Sequence, residues 1–96
     1  MEIFKNKNNG RKVVISDNFE RMLKKNVNGN MHSYIRYRIA MLFGKKTYAK
    51  LFEHMHQRVY MTQELINRRI ELCNAMMTEI RTEYGYNAVK YLNQFL

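Results

Sequence analysis

The residues with the clearest chemical potential lie between positions 34 and 50 of the 96-residue chain. This segment, YIRYRIAMLFGKKTYAK, contains three lysines, two arginines and three tyrosines, and it has no acidic residue. Lysine and arginine neutralise phosphates and release counterions, while tyrosine can donate a hydrogen bond to phosphate or stack on a base. The alternative interpretation is a pair of amphipathic helices whose basic residues face solvent.

The distribution of charge along the chain favours phosphate binding. Residues 1–50 contain twelve basic and three acidic residues, whereas residues 51–96 contain five of each, so the whole net charge of +9 belongs to the N-terminal half. Such asymmetry is typical of a protein with a polyanionic partner. We therefore predict a nucleic-acid-binding surface, with DNA ahead of RNA as the ligand, formed by Arg11, Lys12, Lys24, Lys25, Tyr34, Arg36, Tyr37, Arg38, Lys45, Lys46, Tyr48 and Lys50.

Other kinds of chemistry find little support in the sequence. The chain has one aspartate and no glycine-rich phosphate loop, and its glutamates beyond residue 60 alternate with arginines as on salt-bridged helix faces. His54 and His56 diverge by about 200° on a helix and cannot share a metal ion. Cys73 falls in an apolar pattern without a base beside it. We expect no enzyme activity, no cofactor and no metal site.

Two known DNA-binding patterns can be compared with the residues. Ala40 to Gly44 fits the small-x-x-x-Gly step of a helix-turn-helix, but the apolar residues after the turn, Leu51 and Phe52, come one position late for its core. Residues 12–43 also resemble a ribbon-helix-helix repressor, with a strand over 12–16 and helices over 17–26 and 31–43. That resemblance covers about a third of the chain without a diagnostic motif, and the first helix is about one turn short. It implies strand pairing across a dimer, with Lys12, Val14 and Ser16 reading the bases.

The elements that must position these residues form one domain with an all-α fold. We predict a small bundle of four or five helices around one long helix, opened by one short strand at residues 13–15. Residues 1–12 are interpreted as a flexible basic arm, or alternatively as a hairpin turn around Asn9-Gly10. The basic helices occupy residues 13–46, with an N-cap at Ser16-Asp17 and a terminating glycine at Gly44. Residues 47–96 hold the long helix and a short helix over 87–95.

The long segment from residue 47 to residue 84 lacks glycine and proline. It is therefore either one continuous helix or two helices separated by an N-cap at Thr62. Its apolar residues recur with the spacing of a helix–helix seam. From this spacing we predict self-association, most simply as a homodimer, through Ile66, Ile70, Cys73, Met77, Ile80 and Tyr84.

The composition of the chain indicates its cellular location, its source and its class of partner. One cysteine, no hydrophobic signal core and no apolar run of membrane-spanning length suggest a cytoplasmic protein without a membrane partner. Asn, Lys, Ile and Tyr are abundant, which favours an AT-rich source such as a phage or mobile element. The leading hypothesis is a non-enzymatic regulator or accessory factor that binds nucleic acid. The alternatives are a helical adaptor or inhibitor that docks on an acidic surface of a larger protein complex, and a structural oligomer.

Overall fold

The computed structural model describes residues 1–25, 32–57 and 62–96. Within these ranges the chain is mostly helical, as predicted, but it opens with two strands rather than one. The elements in chain order are β1 (Glu2–Lys5), β2 (Lys12–Ile15), α1 (Asp17–Lys25), α2 (His32–Leu42), α3 (Lys46–His56), α4 (Gln63–Tyr84) and α5 (Tyr86–Asn93).

The N-terminal residues form a β-hairpin, so the interpretation of residues 1–12 as a flexible arm was wrong and the hairpin alternative applies. β1 pairs antiparallel with β2, and Ile3 lies opposite Val14. Because strand side chains alternate between faces, Phe4, Val13 and Ile15 point into the core. Their burial holds the segment in place. The ribbon-helix-helix resemblance implied a strand that pairs across a dimer, whereas β2 pairs with β1 of the same chain.

Local capping signals explain how α1 and α2 begin and end. The Ser16 hydroxyl accepts a hydrogen bond from the Phe19 N–H at 3.1 Å, which confirms the predicted N-cap of α1. After α2 the N–H of Lys45 donates to the Ala40 carbonyl and that of Gly44 donates to Met41, the paired bonds of a Schellman motif. Gly44 has a φ of +73°, a conformation that glycine adopts without steric cost. The predicted turn over residues 28–30 lies outside the described residues.

Two helices, α3 and α4, occupy the segment for which one long helix was an alternative. Helix α3 ends at His56, and α4 begins at Gln63. The Thr62 hydroxyl accepts a hydrogen bond from the Leu65 N–H at 3.1 Å, so the predicted N-cap at Thr62 is present. Helix α4 has 22 residues, which gives it a length of about 33 Å. Gly85, with a φ of +98°, separates it from α5.

Helix α4 provides much of the core, and this changes the interpretation of its apolar seam. Cys73, Met77 and Ile80 are at most 7% exposed and belong to one core cluster with residues of the hairpin and the other helices. The seam spacing therefore reflects packing within the chain. These three side chains were predicted to contact a second copy, but their burial leaves them inaccessible to it. Ile66 and Tyr84 are half-buried, while Ile70 is 49% exposed.

Candidate nucleic-acid interface

A groove of about 490 Å³ lies between the hairpin and the turn that joins α2 to α3. Arg11, Lys12 and Val14 line one wall, and Met41 and Lys46 line the other. The basic residues come from two separate parts of the sequence, and the antiparallel hairpin and the Schellman turn bring them to one groove. We call the surface formed by Arg11, Lys12 and Lys46 the basic groove.

The first turn of α3, whose residue Lys46 lines the basic groove, has unused hydrogen-bond donors. The first helical bond runs from the Ala49 N–H to the Lys45 carbonyl at 2.9 Å. Lys45 occupies the N-cap position without a side-chain cap, and no described residue accepts from the N–H groups of Lys46, Thr47 and Tyr48. Free N–H groups and the positive end of the helix dipole attract anions. A Cβ added at Gly44 would meet no atom within 4 Å, so a ligand can approach this backbone closely.

Lys45 was predicted to contact phosphate, but it is committed to internal ion pairs. Its side chain is 11% exposed, and its ammonium group pairs with Glu79 at 3.3 Å and with Glu83 at shorter range. Burial lowers the pKa of Lys45, but hydrogen bonds and charge from Glu83 and Glu79 outweigh burial, and the pKa is raised. Lys45 therefore holds the α2–α3 turn against α4. A hydrogen bond with Glu79 also raises the pKa of the half-buried Tyr48, so this predicted contact faces the same helix.

Arg36 was also predicted to contact phosphate, but it is 8% exposed and belongs to the interior. Its guanidinium donates to the His32 carbonyl of the preceding turn at 3.0 Å. The sequence pattern put Arg36 among solvated residues because its neighbours on α2 are basic and aromatic. Helix α2 packs extensively on α3 and also contacts α4, so a face that looks polar in sequence becomes buried.

Arg38, Tyr34 and Tyr37 form part of an internal cluster rather than an open stacking platform. The Arg38 guanidinium donates to the Tyr34 hydroxyl at 2.7 Å and lies 5.6 Å from the centroid of the Phe19 ring. The Tyr34 ring is also 5.3 Å from His56 and 6.2 Å from Tyr37. These contacts join α1, α2 and α3, and they engage the Tyr34 ring, which base stacking would need free.

The remaining predicted residues lie outside the basic groove. Lys24 pairs with Glu20 at 2.8 Å on α1, and Lys25 is exposed on the same helix. Lys50 is exposed one turn after Lys46 and extends the basic strip along α3. Lys5, which lies directly opposite Lys12 in the hairpin, was not among the predicted residues. The free N–H groups of α3 were not predicted either. The sequence signal for them is that lysine, which does not cap a helix, precedes the first helical residue.

Metal ligands, membrane-spanning helices and similar proteins give this chain no further assignment. In the described part of the chain no three His, Cys, Asp or Glu residues are placed to hold a metal ion. None of the helices described is long and apolar enough to cross a membrane. No protein-family model, curated protein or solved structure matches this chain.

Proposed function

We propose that the protein is a non-enzymatic regulator or accessory factor that binds nucleic acid through the basic groove. The observation that carries the proposal is that Arg11, Lys12 and Lys46 line one groove at the start of α3. None of these three cations forms an ion pair with an acidic residue of the described ranges. Glu83 also lines the groove, but its charge is compensated by Lys45. The groove is therefore electropositive.

Duplex DNA is the nucleic acid that fits this surface best. The exposed face of the hairpin carries Ile3, Lys5, Lys12 and Val14. A two-stranded ribbon can enter the major groove of B-DNA, whereas the major groove of A-form RNA is too narrow for side chains to read. In this arrangement one phosphate binds at the start of α3, and the lysines bind its neighbours. Val14, which is 45% exposed, can contact thymine methyl groups.

The experiment that tests the proposal is a fluorescence-anisotropy titration with duplex DNA, single-stranded DNA and RNA at two salt concentrations. We expect duplex DNA to bind most tightly. In the variant Arg11→Gln, Lys12→Gln, Lys46→Gln the salt slope of log K should fall by about 2.7, because each phosphate contact contributes about 0.9.

The control variant Arg21→Gln, Lys25→Gln, Lys90→Gln removes the same charge from three exposed residues outside the groove. Its salt slope should change by less than about 1. Equal losses in the two variants would mean that affinity comes from net charge and not from the basic groove. Binding that is absent at physiological salt would contradict the proposed function itself.

A protein partner with an acidic surface is the second candidate, and one observation favours it. Ile3, Val14 and Met41 are 52%, 45% and 52% exposed, next to the same cations. An acidic protein with an apolar centre would match this combination of charge and exposed side chains. Pull-down with nuclease-treated lysate distinguishes the candidates: one protein retained by the wild type and lost in Val14→Asp would favour the adaptor or inhibitor.

The proposed homodimer must use a smaller surface than the full seam. Since Cys73, Met77 and Ile80 are buried, the contact would centre on Ile70. Sedimentation equilibrium of the wild type and Ile70→Asn tests this proposal. A monomeric wild type at high micromolar concentration would contradict it.

A further inference from the structure

A second groove, of about 470 Å³, lies between α4 and α5 and shares no lining residue with the basic groove. Ile70 and Met77 of α4 and Val89 of α5 give it apolar walls, with Leu96 at the C-terminal side. Arg36 of α2 also lines it. We call it the arginine groove. Its volume lies within the range of small-molecule sites, about 300–1,000 Å³.

Arg36 is a buried cation whose hydrogen-bonding capacity is incompletely used. Its Nε atom is buried and has no hydrogen-bond partner, although another guanidinium nitrogen donates to the His32 carbonyl. Arg69 carries a second buried Nε without a partner. Leaving a buried charged donor without a hydrogen-bond partner is unfavourable. Arg36 therefore lines the groove with an uncompensated charge.

The groups around Arg36 are cationic or neutral. Burial lowers the pKa of His32, and the charges of Arg69 and Arg36 lower it further. Burial likewise lowers the pKa of Arg69, and the charge of Arg36 adds to that effect. Burial raises the pKa of the Cys73 thiol despite the opposing charge and hydrogen bond of Arg36. The thiol is thus kept neutral and offers no counter-ion.

The acidic residues of the protein are engaged elsewhere or remain apart from this groove. All eight acidic side chains lie in the described ranges. Their ion pairs with other described residues involve the N-terminus, Lys24, Lys45 and Arg68, and none involves Arg36 or Arg69. A buried charge without a partner is unfavourable, so an anion bound at Arg36 would gain more than one bound at an exposed arginine.

We propose that the arginine groove binds a monocarboxylate with an apolar chain, with the carboxylate on Arg36 and the chain along Ile70, Met77 and Val89. The planar guanidinium matches a carboxylate with two parallel hydrogen bonds. The helix face from Ile70 to Arg81 is about 16 Å long, which accommodates an extended chain of roughly ten carbons. Arg81 also lines the groove and adds to its positive potential.

The test is isothermal titration calorimetry of the full chain with sodium decanoate, at decanoate concentrations below the critical micelle concentration. We expect one decanoate per chain, with acetate and decanol binding at least tenfold more weakly, because acetate lacks the chain and decanol lacks the charge. Arg36→Met should weaken decanoate at least tenfold and keep the helical circular-dichroism spectrum, since methionine fills the same space without charge. The matched control Arg68→Met changes an exposed arginine on α4 and should leave decanoate affinity unchanged.

Two results would overturn the inference: wild-type decanoate affinity in Arg36→Met, or binding of many decanoates per chain as in a detergent. Should Arg36→Met fail to fold, Val89→Asn serves instead, because Val89 lines the groove, is only half-buried and lies outside the proposed dimer contact. Its loss should weaken decanoate several-fold, and unchanged decanoate affinity in Val89→Asn would equally count against the groove. DNA affinity measured on the same variants should stay constant, so failure here is separable from failure of the proposed function.

Discussion

Replacement of Lys45 by methionine should destabilise the protein and weaken DNA binding at the same time. The side chain is 11% exposed and its ammonium group pairs with Glu79 and Glu83, which are 46% and 26% exposed. In Lys45→Met the Glu83 carboxylate, which lines the basic groove, loses its cation. The groove then contains an uncompensated negative charge. Both effects follow from one lost ammonium group.

The size of the stability loss follows from the exposure of the two pairs. The more exposed pair with Glu79 contributes at most about 1 kcal/mol, because solvent screens it. The pair with Glu83 is better shielded, and a charged hydrogen bond of this kind contributes about 1.5–3 kcal/mol. We therefore expect a loss of roughly 2 kcal/mol in the free energy of unfolding, which corresponds to a fall in Tm of about 8–16 °C for a domain of this size.

Urea unfolding followed by circular dichroism at 25 °C measures this loss. The double-mutant cycle of Lys45→Met with Glu83→Gln isolates the pair, and we expect a coupling of at least about 1 kcal/mol. Glu83→Gln alone should tighten DNA binding, opposite to Lys45→Met, because it removes the negative charge from the groove. Coupling below about 0.3 kcal/mol would refute the argument that Lys45 is an internal ion-pair partner.

The pH dependence of the same difference has a definite sign. Because the pKa of Lys45 is raised in the folded state, its contribution is fully present below the ordinary lysine value of 10.5. The contribution is lost as the pH rises through the raised folded-state pKa. The stability difference between wild type and Lys45→Met should thus be constant from pH 7 to 9 and shrink only above about pH 10.5. A difference that already falls between pH 7 and 9 would contradict this assignment.

Three further predictions concern other parts of the fold. Thr62→Ala should lower the free energy of unfolding in urea titrations by about 1 kcal/mol, because the Leu65 N–H loses its cap. The control is Thr82→Ala, at an exposed site on the same helix, which should change stability far less. In an ultraviolet titration Tyr91 should ionise at a pH well above that of an ordinary tyrosine, because burial and the hydrogen bond to Glu20 at 3.0 Å raise its pKa. Tyr91→Phe should remove the component that titrates at the highest pH, and persistence of that component would refute the assignment. Cys73 should react with a thiol reagent at least a hundredfold more slowly in the folded chain than in urea, because the residue is 6% exposed and burial raises the pKa of its thiol. Equal rates in the two conditions would show that the core around α4 opens freely.

Local signals in the sequence predicted the boundaries of several elements correctly. Ser16, Gly44 and Thr62 act through hydrogen bonds or backbone conformation within a few residues, so one stretch of sequence contains the whole interaction. The hairpin was harder to predict because β1 has four residues and its partner strand begins after a turn. Strand pairing depends on the partner as much as on the strand itself.

The candidate site was predicted only where its residues have no partner distant in sequence. Lys12 and Lys46 have no ion-pair partner among the described residues, but Lys45 is bound by two glutamates of α4, which the local sequence does not reveal. Arg36 was misjudged because residue type alone suggests solvent. The apolar spacing around Met77 was correct as a packing signal, yet such a pattern does not specify whether the opposing helix belongs to the same chain or to another.

Glu83 connects the early and late parts of the chain through two different groups. Its carbonyl accepts a hydrogen bond from the Lys7 N–H at 2.7 Å, and its carboxylate pairs with Lys45. Both walls of the basic groove are thereby fastened to the C-terminal end of α4, across most of the chain length. Contacts between residues so distant in sequence carry a large loop-closure entropy and form late in folding. A chain still emerging from the ribosome would hold its basic residues without the groove that organises them, because the groove can form only after residue 83 has left the ribosome.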